Sequence, residues 1–385
     1  MRKIIKVLGV FAAVVLVIVG LLQLTGNGHV ITAVRMTYLS GQKGPGIYDL
    51  SKFNANRIAN AGRKEWLIDT GSFRLNSEEL SYLEKMGTTG MLIAEGDTIV
   101  MKQFWEGHTD STLSNSFSMA KSVVAMLVYI AQSEGLIPSI DDKVSRYLPE
   151  FATDGRDSIT LRHLISMSSG LAWSESGGNP LSDNAKAYYG TDLSELVLHM
   201  PYESTPGVAF DYKSGNTALL ALCLRRATGV TLAEYAAEKL WRPMAASYPA
   251  YWSTDEKGVE KSYCCIYGTL SDFAKIGRLL LDSGKVGNQV ILPANYFADA
   301  FQPAPLQTVD GKLNTRYSSA SLWLVTYKGK VYPYLRGILG QYVLLLPEKN
   351  AVVVRVGHKR DEVDEEGHPK DIYRYIAIAL RATEK

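Results

Sequence analysis

Residues 114–137, SNSFSMAKSVVAMLVYIAQSEGLI, pass within a few positions from polar to almost wholly apolar. Val123, Val124, Met126, Leu127, Val128 and Ile130 leave no polar face, which predicts a helix buried on all sides. Ser114, Asn115 and Ser116 offer caps and place Ser118 in its first turn. The N-terminal run differs. Val7–Leu22 is uncharged and, with Ile4, Ile5 and Leu24, approaches the roughly 20 residues that span a bilayer. Arg2, Lys3 and Lys6 precede it, so the cations stay cytoplasmic and the remaining chain is exported. Residues 1–25 therefore read as a membrane anchor, or as a signal segment removed near Gly26.

Residues 26–48 end in SGQKGPG and read as a tether, leaving 49–385 as one domain. GMLIAEGDTIVMKQFWEG, from Gly90 to Gly107, predicts two strands turned at Glu95-Gly96-Asp97. TLRHLISM, DLSELVLHM, NTALLALCLRRATG and TLAEYAAEKLW carry helical spacing, giving a mainly helical stretch over about 118–260. Strands return in RYSSASLWLVTYKGKVYPYLRG and QYVLLLPEKNAVVVRVG, turned at Lys328-Gly329-Lys330 and Pro347–Asn350. DIYRYIAIALRA then closes as a helix. The order predicts an α+β fold: an antiparallel sheet built from both chain ends, flanked by helices, with a helical subdomain inserted.

Composition narrows the function. A net charge of +2 gives no footprint for nucleic acid. There is no HExxH and no cysteine–histidine cluster with zinc spacing, so neither a metal nor an organic cofactor is expected. Cys223, Cys264 and Cys265 read as small buried hydrophobes, because adjacent cysteines pair only with strain.

Ser118 and Lys121 stand three apart and share one helix face. A lysine in so apolar a helix loses hydration, its pKa falls, and it can take the Ser118 proton. Ser40-Gly41-Gln42-Lys43 repeats the spacing in a Gly/Pro loop, where no helix aligns the pair, and is assigned no function. Neither G-x-S-x-G nor a P-loop occurs.

SFSMAKS resembles the first motif of the penicillin-recognising serine hydrolases, which include class C β-lactamases, D-amino-acid peptidases and related esterases. IDDKVSRYLPEF with TLRHLISMSSGLAW, then FDYKSGNTALLALCLRRATG, resemble the stretches that follow. CCIYGTLSDFAKIGRLLLDSGK is most similar to the 6-aminohexanoate-dimer hydrolase branch, and the resemblance covers about 46–385. It implies a β-lactamase/D-amino-acid-peptidase-like fold. It also implies Ser118 as nucleophile, Lys121 as base or relay, and Tyr212 as the tyrosine that passes a proton to the leaving group.

Two motifs depart from the β-lactamase pattern. Ile338-Leu339-Gly340 stands for Lys-Thr-Gly, with the Gln341 N–H joining that of Ser118 as the implied oxyanion hole. The carboxylate-binding lysine is lost unless Arg336 replaces it, which argues against β-lactams as substrates. Tyr212-Lys213-Ser214 stands for Tyr-x-Asn, with Asn216 further on. Trp173, Tyr188 and Tyr189 are placed on loops as cleft walls or packing residues. The expected activity is cleavage of a small-molecule amide or ester through a Ser118 acyl-enzyme at the cell envelope, membrane-anchored or secreted. A carboxylesterase, a D-amino-acid peptidase and a non-catalytic envelope sensor are the alternatives. Nothing in the sequence sets the oligomeric state.

Overall fold

The computed structural model describes residues 2–62, 67–68 and 72–384. Its main sheet has seven strands: β1 (Leu67–Ile68), β2 (Thr88–Glu95), β3 (Thr98–Phe104), β4 (Trp323–Tyr327), β5 (Lys330–Gly337), β6 (Gln341–Leu346) and β7 (Ala351–Gly357). Their order is β4-β5-β6-β7-β2-β3-β1, antiparallel except for the β1–β3 pair. β7 joins the late meander to the early hairpin, with Val353 opposite Ile93 and Val354 opposite Leu92. The sheet is thus assembled from both chain ends, as the strand pattern predicts.

Period-two alternation sorts the side chains of the sheet into two cores. Leu92, Ala94, Val352 and Val354 face one cluster, and Met91, Ile93 and Val353 face the other. The helices that bear on the site and the cores are α1 (Arg2–Leu24), α2 (His29–Met36), α3 (Met119–Ser133), α4 (Asp183–Tyr189), α5 (Ser214–Thr228), α6 (Leu270–Leu281) and α7 (Asp371–Ala382). α3 and α6 lie in the first core; Ile372, Tyr375 and Ile376 of α7 lie in the second. Gly277 lets α6 approach closely, since a Cβ there would meet Val352 at 2.5 Å.

Between Met119 and Trp241 the regular elements are helices of α, 3-10 and π type and the two-residue strand Ala209–Phe210. A second sheet carries the turn into α3. It pairs Ala55–Ile58 with Ala250–Ser253, then Ile266–Gly268, then Ser114–Asn115. α1 is long and apolar enough to cross a membrane and buries no residue against the domain. α2 lies within the segment expected to be a tether. It is tied at both ends, through His29 Nε2 to the Pro180 carbonyl at 2.9 Å and by Lys52 Nζ donating to Met36 O at 2.9 Å.

Candidate active site

Ser118 reaches its position through a strained turn. Ser114 pairs with Gly268 and Asn115 with Tyr267. Ser116 N donates to Ile266 O at 2.7 Å, and Ile266 N returns a bond to Ser116 Oγ at 3.1 Å. Phe117 adopts a φ of +44°, a left-handed conformation that costs a side-chain-bearing residue roughly 1–2 kcal/mol. Its N–H is held by Asn115 Oδ1 at 2.9 Å. The chain then enters α3 with Ser118 at the N-cap position, φ −64° and ψ −5°, its hydroxyl making no cap bond. That hydroxyl faces the cavity at the positive end of the helix.

Lys121 is one turn on and buried. Its Nζ donates to Ser118 Oγ at 3.0 Å and to the Tyr263 carbonyl at 2.9 Å. It also lies 4.8 Å from the Tyr212 ring centre. Burial lowers its pKa from 10.5 to about 8, against the opposing field of Glu175. Tyr212 follows the Ala209–Phe210 strand and precedes α5. Its oxygen is hydrogen-bonded by Ser118. Burial and the Glu175 charge push the phenol well above its ordinary pKa, so it stays protonated; Ser118 and Arg336 oppose this. The structure therefore brings Ser118, Lys121 and Tyr212 together.

Glu175 was not singled out from the sequence. It sits in the irregular loop SESGGNP, which has no periodicity to mark it. Its Oε2 accepts from Ser214 N at 2.7 Å and Trp173 Nε1 at 2.9 Å, and its Oε1 from Ser214 Oγ at 2.6 Å. The departure from Tyr-x-Asn thus has a partner: Ser214 holds a loop carboxylate against the site. Asn216 is fully buried and accepts from Ser169 Oγ at 2.6 Å.

The oxyanion assignment to Gln341 requires correction. Gln341 is fully buried and does not line the cavity; its side chain bridges Ile338 O and Gly357. Gly340, with φ +83°, makes room for Arg355 rather than for a ligand, since a Cβ there would lie 2.2 Å from the guanidinium. Arg355 Nη1 accordingly donates to Gly340 O at 2.8 Å. The strand end that closes on Ser118 is Gly337–Ile338, both in the cavity wall. A Cβ on Gly337 would lie 2.3 Å from Ser116 O, so only glycine allows this approach.

The cysteines also need correction. Cys223 is a buried free thiol, as expected, but Cys264 and Cys265 form a disulfide between neighbours. Cys265 takes a left-handed φ of +73°. The ring stands between Tyr263, whose carbonyl holds Lys121, and Ile266, which pairs with Ser116. Cys264 lines the cavity.

The cavity holds about 530 Å³. Tyr188 and Tyr189 form part of its wall; Trp173 is buried behind Glu175. Arg336, stacked 4.5 Å from the Trp323 ring, brings positive charge to the lining with Arg360 and Lys43, and Glu175 is the one carboxylate there among the described residues. Among the described residues no cluster of His, Cys, Asp and Glu could hold a metal ion.

The fold and its family define the class. A β-lactamase family model matches residues 81–375, and the chain belongs to this family of serine hydrolases. It is similar to the 6-aminohexanoate-dimer hydrolase of Paenarthrobacter ureafaciens, at 22% identity over 71% of this chain and 73% of the relative. A solved Bacillus anthracis structure, assigned to the same hydrolases, superposes with a TM-score of 0.74 at 20% identity, covering 87% of this chain and 92% of the other. A family VIII carboxylesterase superposes with a TM-score of 0.62 at 19% identity, covering 79% and 95%.

Proposed function

We propose that the protein hydrolyses a linear small-molecule amide or ester through an acyl-enzyme on Ser118. The observation that carries this reading is the 3.0 Å contact between Ser118 Oγ and the buried Lys121 Nζ. Neutral Lys121 accepts the hydroxyl proton, and Oγ attacks the carbonyl carbon. The N–H groups of Ser118 and Ile338 are our candidates for holding the oxyanion, in place of the Gln341 N–H. Tyr212 gives its proton to the leaving nitrogen or oxygen and is reprotonated by the Lys121 ammonium beside its ring. Water then attacks the ester to Ser118 and restores the hydroxyl.

A phenol kept protonated by burial suits amide cleavage, where the leaving nitrogen must gain a proton. Glu175 together with Arg336 and Arg360 in one cavity lining suits a substrate that carries both an ammonium and a carboxylate. We read α1, which is long and apolar enough to cross a membrane, as an anchor with Arg2, Lys3 and Lys6 cytoplasmic and the hydrolase domain outside. Fluorophosphonate labelling tests the reading. Wild type is expected to label and Ser118→Ala to stay unlabelled, with intact mass giving one adduct. A folded wild type that never labels points instead to a non-catalytic envelope sensor.

A further inference from the structure

Part of the cavity wall is supplied by the segment that follows α1. Val30, Ala33, Val34 and Thr37 of α2 and its C-cap, with Tyr38 and Pro45 beyond, line the same space as Ser118. The five-residue step from Leu24 to His29 reaches at most about 18 Å, which ties α2 to the end of α1. The next turn exposes two large apolar side chains, Tyr38 at 68% and Leu39 at 78%. Arg35 and Lys43, both exposed, flank them. Aromatic and aliphatic groups beside cations are the composition of a segment resting at a bilayer surface that carries anionic lipid.

We propose that the substrate is an ester or amide of a linear hydrophobic acyl chain, drawn from the lipid surface, and that α2 receives the chain. This rests on the Ser118 acyl-enzyme and anchor readings above. The scissile C–O or C–N bond breaks as the Ser118 Oγ–acyl bond forms. The alcohol or amine leaves with the proton from Tyr212, and water releases the free acid and regenerates Ser118. Val30, Ala33 and Val34 give the chain apolar contact, and Arg336 and Arg360 remain for the polar end.

The test uses full-length protein in phosphatidylcholine/phosphatidylglycerol vesicles, with p-nitrophenyl acetate and p-nitrophenyl decanoate as probes. Wild type is expected to favour decanoate in kcat/KM by at least tenfold. Ala33→Trp, which fills the space beside the chain, is expected to collapse that ratio at least tenfold; Val30→Asn carries the same expectation if Ala33→Trp does not fold. Leu39→Asp should lower turnover of vesicle-borne decanoate more than that of soluble acetate. Equal wild-type rates on the two esters, or an unchanged ratio in both folded cavity variants, overturn the acyl-chain proposal while leaving the hydrolase intact. No turnover of either ester, or turnover that survives in Ser118→Ala, overturns the hydrolase reading and this one with it.

Discussion

Ser214 grips Glu175 twice, through its backbone N–H at 2.7 Å and its hydroxyl at 2.6 Å. This fixes a negative charge whose field raises the pKa of Lys121 against the effect of burial. Glu175→Gln keeps the shape of the side chain and removes the charge. The pH midpoint set by Lys121 should therefore move to lower pH, read from kcat/KM profiles of the two proteins. An unmoved midpoint would leave Glu175 with a purely structural part.

On the proposed mechanism the proton acceptor is neutral Lys121, whose pKa is lowered to about 8. The activity kcat/KM should rise with pH through about 8 with a slope of one proton. Lys121→Arg stays cationic and is expected to lose about 10²–10⁴ in rate, the usual share of general base catalysis. Stability follows the same group. The unfolded chain binds its proton more tightly, so the Lys121 contribution to stability rises between about pH 8 and about pH 10.4.

Tyr212→Phe removes the proposed donor to the leaving group and keeps the ring against Trp323 and Tyr317. Loss on an amide should exceed loss on its p-nitrophenyl ester counterpart by about tenfold or more, because nitrophenolate leaves without a proton. Equal losses would place Tyr212 elsewhere in the proton route.

Gly337→Ala would set a Cβ 2.3 Å from Ser116 O, a clash with backbone that no rotamer relieves. The expected result is a loss of about 1–3 kcal/mol in denaturant unfolding, together with a fall in kcat as the strand end withdraws from Ser118. Gly340→Ala would crowd Arg355 instead, and should harm stability more than turnover.

Reducing the Cys264–Cys265 bond frees the backbone that aims the Tyr263 carbonyl at Lys121. Dithiothreitol, or Cys265→Ser, is expected to lower kcat more than it raises KM. Thiol titration should count one thiol before reduction, from Cys223, and three after, under denaturing conditions.

What the sequence made legible was periodic or closely spaced. The early hairpin, the late meander and the all-apolar helix behind Ser118 follow from alternation and helical repeat. Ser118 and Lys121 needed only one turn of helix to meet, and the structure brings Tyr212 to them. Glu175 lay hidden because its two-point contact with Ser214 crosses 39 positions from an irregular loop. The strand end that reaches the cavity lies at Gly337–Ile338 and not at Gln341, and the sequence hides this because two glycines, 337 and 340, punctuate the same short run. Only their packing partners, Ser116 for one and Arg355 for the other, tell them apart. The paired cysteines were judged by the strain of joining neighbours, and the second sheet that holds Cys265 left-handed is a long-range assembly.

The place of α2 bears on how this protein is prepared for study. A polypeptide started at residue 46 would still carry both sheets and Ser118, Lys121 and Tyr212. It would lack Val30, Ala33 and Val34, and the cavity would lose the wall they form. If α2 receives the acyl chain as proposed, such a trimmed protein would lose selectivity among acyl groups, and its kinetics would describe the cut rather than the enzyme.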